Sequence, residues 1–115
     1  MEQINRIELL GIVGSSRMQM VGDRQMAKFT LVTNRAFKNK EGVPVIEPTW
    51  HNVTAFEGRQ IGNLDKITKG IALHVWGRLQ IQHYTGADGM ERISTDVICN
   101  KLEFIPQGEN IQYEL

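Results

Sequence analysis

Apolar and polar residues alternate along most of this chain with a period of two, the period at which a β-strand sends side chains to opposite faces. Ala27, Phe29, Leu31 and Thr33 alternate with Lys28, Thr30, Val32 and Asn34, which predicts a half-buried strand over Ala27 to Arg35 with Lys28 outward. Ile71, Leu73 and Val75 alternate with Ala72, His74 and Trp76. Beyond Gly77 the pattern continues, with Leu79 and Ile81 expected inside and Arg78, Gln80, Gln82 and Tyr84 outside, so one long strand runs from Ile71 to Tyr84. Thr85-Gly86-Ala87-Asp88-Gly89 is hairpin chemistry. A further strand is expected from Met90 to Phe104, with Ile93, Thr95, Val97 and Cys99 opposite Ser94, Asp96 and Ile98. The opening stretch Ile4 to Val13 is apolar and partly β-branched, interrupted by Gly11 and Gly14. Glycine inside a strand suggests a bulge or bend, as in a long first strand that joins two sheets. Ser15 to Gln25 is polar with a turn at Gly22-Asp23, and Ala36 to Pro48 reads as a long loop.

The stretch Thr49 to Phe56 differs from these. Trp50, Asn52, Thr54 and Phe56 share one face and His51, Val53 and Ala55 the other. The first face has an aromatic ring at each end and small polar groups between. A core face is normally apolar throughout, and a purely solvated face does not normally carry Trp and Phe. Flat rings along a wet strand form a platform on which bases can stack. The alternative is that Trp50 and Phe56 are core residues. Between this strand and the next, Ile61, Leu64 and Ile67 are spaced three apart and Gly70 is a stop signal, which predicts a short helix from about Gln60 to Thr68.

The predicted order is therefore β-β-β-α-β-β, an all-β chain. A five-stranded Greek-key barrel with one short helix between strands three and four is the OB architecture. Closure hides the strand edges. Residues 1–105 form the expected domain and 106–115 a short polar C-terminal end.

Composition narrows the function. The chain has 115 residues, of which 41% are apolar, enough for one core. Cys99 is the only cysteine, which excludes an intrachain disulfide, and no Cys/His spacing of a structural zinc site occurs. No metal, cofactor or membrane partner is expected. The N-terminus has no apolar run of a signal peptide, and a cytoplasmic, nucleoid-associated location is expected. His51, His74 and His83 are isolated on strands without an acid or nucleophile partner by spacing, so no catalytic residue is assigned and no enzyme expected. The formal net charge is zero, yet the charges are segregated. Between Arg17 and Lys40 stand Arg17, Arg24, Lys28, Arg35, Lys38 and Lys40 against Asp23 alone. A local basic stripe suffices to track a phosphate backbone, because screening confines these fields to about 8–10 Å. Phe37, between Arg35 and Lys38, suits a base-stacking finger; the alternative is a plug pinning its loop.

Asn5-Arg6-Ile7, Leu10-Gly11, Phe29-Thr30-Leu31-Val32-Thr33, Thr49-Trp50-His51-Asn52-Val53, Phe56, Lys69-Gly70, Trp76-Gly77-Arg78-Leu79, Tyr84-Thr85 and Gly89 occur in an order that resembles bacterial single-stranded DNA-binding proteins. The resemblance spans roughly residues 4–105. It implies an OB fold, a homotetramer (or at minimum a dimer), and sequence-tolerant coating of single-stranded DNA in replication, recombination and repair. Phe37, Trp50, Phe56 and Tyr84 match its stacking aromatics, Phe37 and Tyr84 standing where Trp is frequent. All four are expected on one face. Lys28, Arg35, Lys38, Lys40 and Arg78 are the candidate phosphate contacts. His51 matches an interface histidine, and His74 and Trp76 are added to the interface because Trp76 is too apolar for free exposure. The alternative for Trp76 is packing under the 36–48 loop. The acidic C-terminal peptide of the resemblance has no match in Ile111-Gln112-Tyr113-Glu114-Leu115, so recruitment of repair proteins through the C-terminus is not expected. The rival readings are an accessory OB protein resembling primosomal replication protein N, an RNA-binding OB module, and a protein-binding OB subunit.

Overall fold

The computed structural model of the chain describes residues 1–106. Five strands form a closed barrel in the order β1-β2-β3-β5-β4. They are β1 (Ile7–Val21), β2 (Arg24–Lys38), β3 (Pro44–Phe56), β4 (Ala72–Thr85) and β5 (Glu91–Phe104). All pairs are antiparallel except β3 with β5, which run parallel over only Val53–Ala55 and Val97–Cys99. This is the expected all-β OB topology.

β1 joins two partners, as its glycines suggested. Its first half, Ile7 to Ile12, pairs with β4, and its second half, Ile12 to Val21, with β2. The register shifts at Gly14, between Val13 and Ser15. At Gly11 a Cβ would overlap the Val32 carbonyl, so only glycine allows the two strands to approach so closely there. The polar stretch after Gly14 is extended. It continues β1 to the Gly22-Asp23 turn, where Gly22 takes φ 64°.

The core is built from inward residues of every strand, with Val13, Leu31, Val53, Leu73 and Val75 almost wholly buried. Ile61, Leu64 and Ile67 join it as expected, but the backbone that delivers them is a single 3₁₀ turn, Leu64–Lys66, not a helix over Gln60 to Thr68. Spacing of three is the period of a 3₁₀ turn, whereas an α-helix repeats at 3.6. Gly62 and Gly70 take φ 80° and 93°, outside helical space, and Asn63 caps the turn by accepting from the Asp65 N–H at 2.9 Å.

Three two-stranded arms extend from the barrel. The expected 36–48 loop is one of them: β2 and β3 stay paired out to Phe37↔Val45 and Lys38↔Pro44, leaving a tight turn. In that turn Asn39 Oδ1 accepts from the N–H groups of Glu41 and Val43, and Gly42 takes φ 77°. The prolines that suggested a loop are compatible with the ladder. The Asn39 N–H bonds to the Val43 carbonyl, and the alternation of an antiparallel pair then leaves 44, 46 and 48 without a bond to β2. The β4–β5 arm overturns a second expectation: Leu79 and Ile81 keep inward parity but are exposed, Ile81 at 56%, as is Ile93 at 64%. The arm extends past the barrel, so nothing in this chain covers that face.

Candidate nucleic-acid interface

The outward face of β2 and β3 lies between the β1–β2 arm and the β4–β5 arm. Pairs Val32↔Trp50, Thr30↔Asn52 and Lys28↔Thr54 form its floor. Trp50 is 59% exposed, so it is not a core residue. Its indole lies diagonally across β2 onto the bulge at Gly14, where a Cβ would overlap the ring. Beside it Ser15 and Thr30 hold the bulge: the Ser15 N–H donates to Thr30 Oγ1 at 3.0 Å, and the two hydroxyls lie 3.1 Å apart. Phe56, six residues along the same face and so about 20 Å away, is half-buried. The Arg24 guanidinium covers one side of its ring at 4.8 Å.

Three adjoining hollows link this floor to the β4–β5 arm. One, of about 370 Å³, lies between Arg17, Lys28, Thr30, Asn52, Thr54, Ser94 and Asp96. The second joins Lys28 and Asp96 to Tyr84, and the third joins Tyr84 to Trp50, Asn52 and His51. Trp50 and Tyr84, far apart in sequence, therefore border one recess. Arg17 and Lys28 are directly paired across β1 and β2. Like charges so placed repel each other, an arrangement that an anion between them relieves.

Not every expected residue joins this face. Phe37 does not. The β2–β3 register is unbroken, so Phe37 shares its face with Thr33, Arg35 and Val45, on the opposite side of the ribbon from Trp50. The Arg35 guanidinium stacks 5.0 Å from its ring centroid, which places Arg35 there too. Lys38 keeps the parity of Trp50 at the far end of the arm, and Lys40 lies in its turn. Arg78 is exposed on the outer side of β4, which β5 separates from β3 in the barrel, and it borders none of the three hollows.

The three residues assigned to an interface divide in the same way. His51 faces the recess that Leu79 and Ile93 also line; its Nε2 and Thr33 Oγ1 are 2.9 Å apart, and burial lowers its pKa from 6.5. His74 and Trp76 lie on the outer side of β4 with rings stacked at 3.7 Å. His74 Nε2 is 2.6 Å from Glu8 Oε2, and Lys101 Nζ sits 4.6 Å from the Trp76 ring. Trp76 is thus shielded within its own chain by His74 and Lys101.

The pattern of residues missed it in three places. Gly14 seats the Trp50 ring, Arg17 completes the basic wall, and Asp96 puts a carboxylate in the groove. Arg17 was visible only as part of the basic stripe and Asp96 only as an outward strand position. The seat at Gly14 depends on a contact across two strands that no local pattern contains.

Comparison with known proteins agrees with this geometry. The single-strand binding protein family matches residues 4–105. A single-stranded DNA-binding protein of Xanthomonas campestris pv. campestris is 30% identical over 106 residues, covering 89% of this chain and 60% of that protein. A mitochondrial single-stranded DNA-binding protein of Danio rerio is 26% identical over 116 residues, covering 93% of this chain and 80% of that one. The first of the curated relatives are longer, and the chain spans about 60% of their length. Among solved structures, a Plasmodium falciparum SSB in complex with ssDNA superimposes with a TM-score of 0.80 at 25% identity, covering 92% of this chain and 98% of that one. A Thermus aquaticus single-stranded DNA binding protein shares the fold, with a TM-score of 0.73 at 23% identity over 91% of this chain and 52% of that one. By the extent of the family match and by the barrel itself, this chain belongs to the single-strand binding protein family.

Proposed function

We propose that this chain binds single-stranded DNA with little regard to sequence, by stacking bases on Trp50, Tyr84, Phe56 and Phe37 and by phosphate contacts from Lys28, Lys38, Lys40, Arg35 and Arg78, with Arg17 added. The observation that carries the reading is an indole more than half exposed on the β2–β3 face, which also carries the cross-strand pair Arg17 and Lys28 further along. Stacking suits any base, because every base has a π-face, and the cations follow the backbone between stacked bases. Duplex DNA, whose bases are already stacked on each other, offers the rings nothing. Family membership and the solved relative in complex with ssDNA support the same ligand. The role that follows is a binding protein, not an enzyme, coating strands exposed in replication, recombination and repair. A cytoplasmic location suits that role; among the described residues no helix is long and apolar enough to cross a membrane. We further propose a homo-oligomer, tetramer or dimer, with His51, His74 and Trp76 near its contacts. The expected C-terminal end and its lack of a recruiting peptide lie outside the described residues, apart from Pro106.

Titration with oligo-dT, oligo-rU and duplex DNA at two salt concentrations tests the reading. Oligo-dT should quench Trp50 fluorescence and leave a remainder from Trp76. Trp50→Ala should cost about 1–3 kcal/mol in oligo-dT affinity. Each phosphate engaged should contribute about −0.7 to the salt slope. Unchanged affinity in Trp50→Ala would remove the platform from the site, and stronger binding of oligo-rU would move the function to RNA.

A further inference from the structure

We propose that the hollow between β1, β2, β3 and β5 receives the edge of one unstacked base and that Asp96 makes it favour guanine. The inference rests on the single-strand reading above and adds a base bias at one subsite.

The hollow contains none of the four stacking aromatics at its centre. Thr30, Asn52, Thr54 and Ser94 line it with small hydrogen-bonding side chains, Arg17 and Lys28 supply positive charge, and Asp96 supplies the one carboxylate. Lys28 and Asp96 also line the adjoining hollow beside Tyr84, so both residues border two openings. Asp96 is half-buried and takes part in none of the three ion pairs of the described residues. The Ser94 hydroxyl donates to its Oδ2 at 2.6 Å. An ionised carboxylate offers about four acceptor positions, so Ser94 orients the group and leaves most of them free.

A carboxylate at this point repels phosphate. The backbone then follows the Arg17 and Lys28 side of the hollow, and a base edge faces Asp96. Unstacked bases are commonly read on their Watson–Crick edges. Asp96 accepts and does not donate, so it selects by the number of adjacent N–H groups facing it. Guanine presents two side by side, N1–H and the N2 amine, next to the O6 acceptor. Lys28 or Asn52 can donate to O6 while Asp96 accepts from the other two. Thymine presents one N–H between two carbonyls, one of which must face the carboxylate. Cytosine and adenine each present a single amine beside a ring-nitrogen acceptor. A cation and a carboxylate lining one hollow suit the donors and acceptor of guanine's edge and oppose thymine's.

The test is competition against labelled oligo-dT, using unlabelled oligo-dT and the same oligomer with one interior dG, dC or inosine. Inosine keeps O6 and N1–H and lacks the N2 amine. Wild-type protein should rank dG above inosine and inosine above dT, with dG favoured by about fivefold, the low end for a bidentate base contact. Asp96→Asn, nearly isosteric and still able to accept from Ser94, should abolish the ranking among the four oligomers. Equal affinity of the wild-type protein for dG, inosine and dT oligomers would overturn the inference while leaving single-strand binding intact. So would an Asp96→Asn protein that binds every oligomer more tightly by one common factor, because Asp96 would then act only as a charge. Failure to bind any oligomer would bring down the single-strand reading and this inference together.

Discussion

At the scale of single residues, the site depends on how one ring is seated. Trp50 reaches across β2 because Gly14 has no side chain there; an added Cβ would overlap the ring edge and come within 3.0 Å of Thr30 Oγ1. Gly14→Val should keep the barrel, at a cost of roughly 1–3 kcal/mol for overpacking, and swing the indole off its seat. A shifted tryptophan emission together with weaker oligo-dT binding would show this, and an unchanged emission and affinity would remove Gly14 from the site. His51 gives a pH dependence. Burial lowers its pKa from 6.5, so the unfolded chain binds the proton more readily. Its contribution to stability is present in full above pH 6.5 and is lost as pH falls through the lowered folded value. Denaturant titrations between pH 8 and 5 should show this loss, and His51→Gln, which can still bond Thr33, should flatten it. Cys99 is buried, with its pKa raised to about 11 by desolvation, so thiol reagents at neutral pH should modify it only after unfolding.

At the scale of elements, the β2–β3 arm separates two of the proposed stacking residues, thirteen positions apart in the sequence. Trp50 lies on one face of the ribbon and Phe37, backed by Arg35, on the other. A strand that touches both must pass over the arm's edge or tip, where Lys38 and Lys40 stand. If both rings stack as proposed, they take bases that do not neighbour each other, so their losses should add. Affinities of Phe37→Ala, Trp50→Ala and the double variant should close a cycle to within about 0.5 kcal/mol. A larger coupling would place both rings on adjacent bases and contradict the opposed faces.

At the scale of the molecule, the apolar surface open for self-association lies on the β4–β5 arm and not at Trp76. Trp76 is shielded by His74 and Lys101, whereas Leu79, Ile81 and Ile93 leave an apolar row open to water. A row of this kind on an arm that projects from the barrel calls for a second surface. A second copy of the chain is the partner proposed. Sedimentation at micromolar concentration should therefore exceed the 13.1 kDa of one chain. Ile81→Glu with Ile93→Glu should shift it towards that value, and a wild-type monomer would rule the assembly out.

Alternation alone determined much of this protein. Period two in Ala27 to Arg35, Thr49 to Phe56 and Ile71 to Tyr84 assigns each side chain to a face, because the pleat allows only two. The glycines of β1 marked where a strand must bend, and the order of elements implied the barrel. Alternation has no information about what covers a face. Leu79 and Ile81 follow the same pattern as Leu73 and Val75, yet the first two lie beyond the barrel's end and the last two inside it. The prolines at 44 and 48 looked like loop signals because their fitness for a strand depends on which side of β3 carries the ladder. Ile61, Leu64 and Ile67 were legible as core residues, but whether a helix or a single turn would bring them there was set by the glycines around them. The four aromatics could be singled out from the resemblance as candidates. Which of them share a surface was not legible, since a register between β2 and β3 puts Phe37 behind the ribbon and closure of β5 against β3 brings Tyr84 round to Trp50. Both are long-range pairings, made between residues that no local window contains.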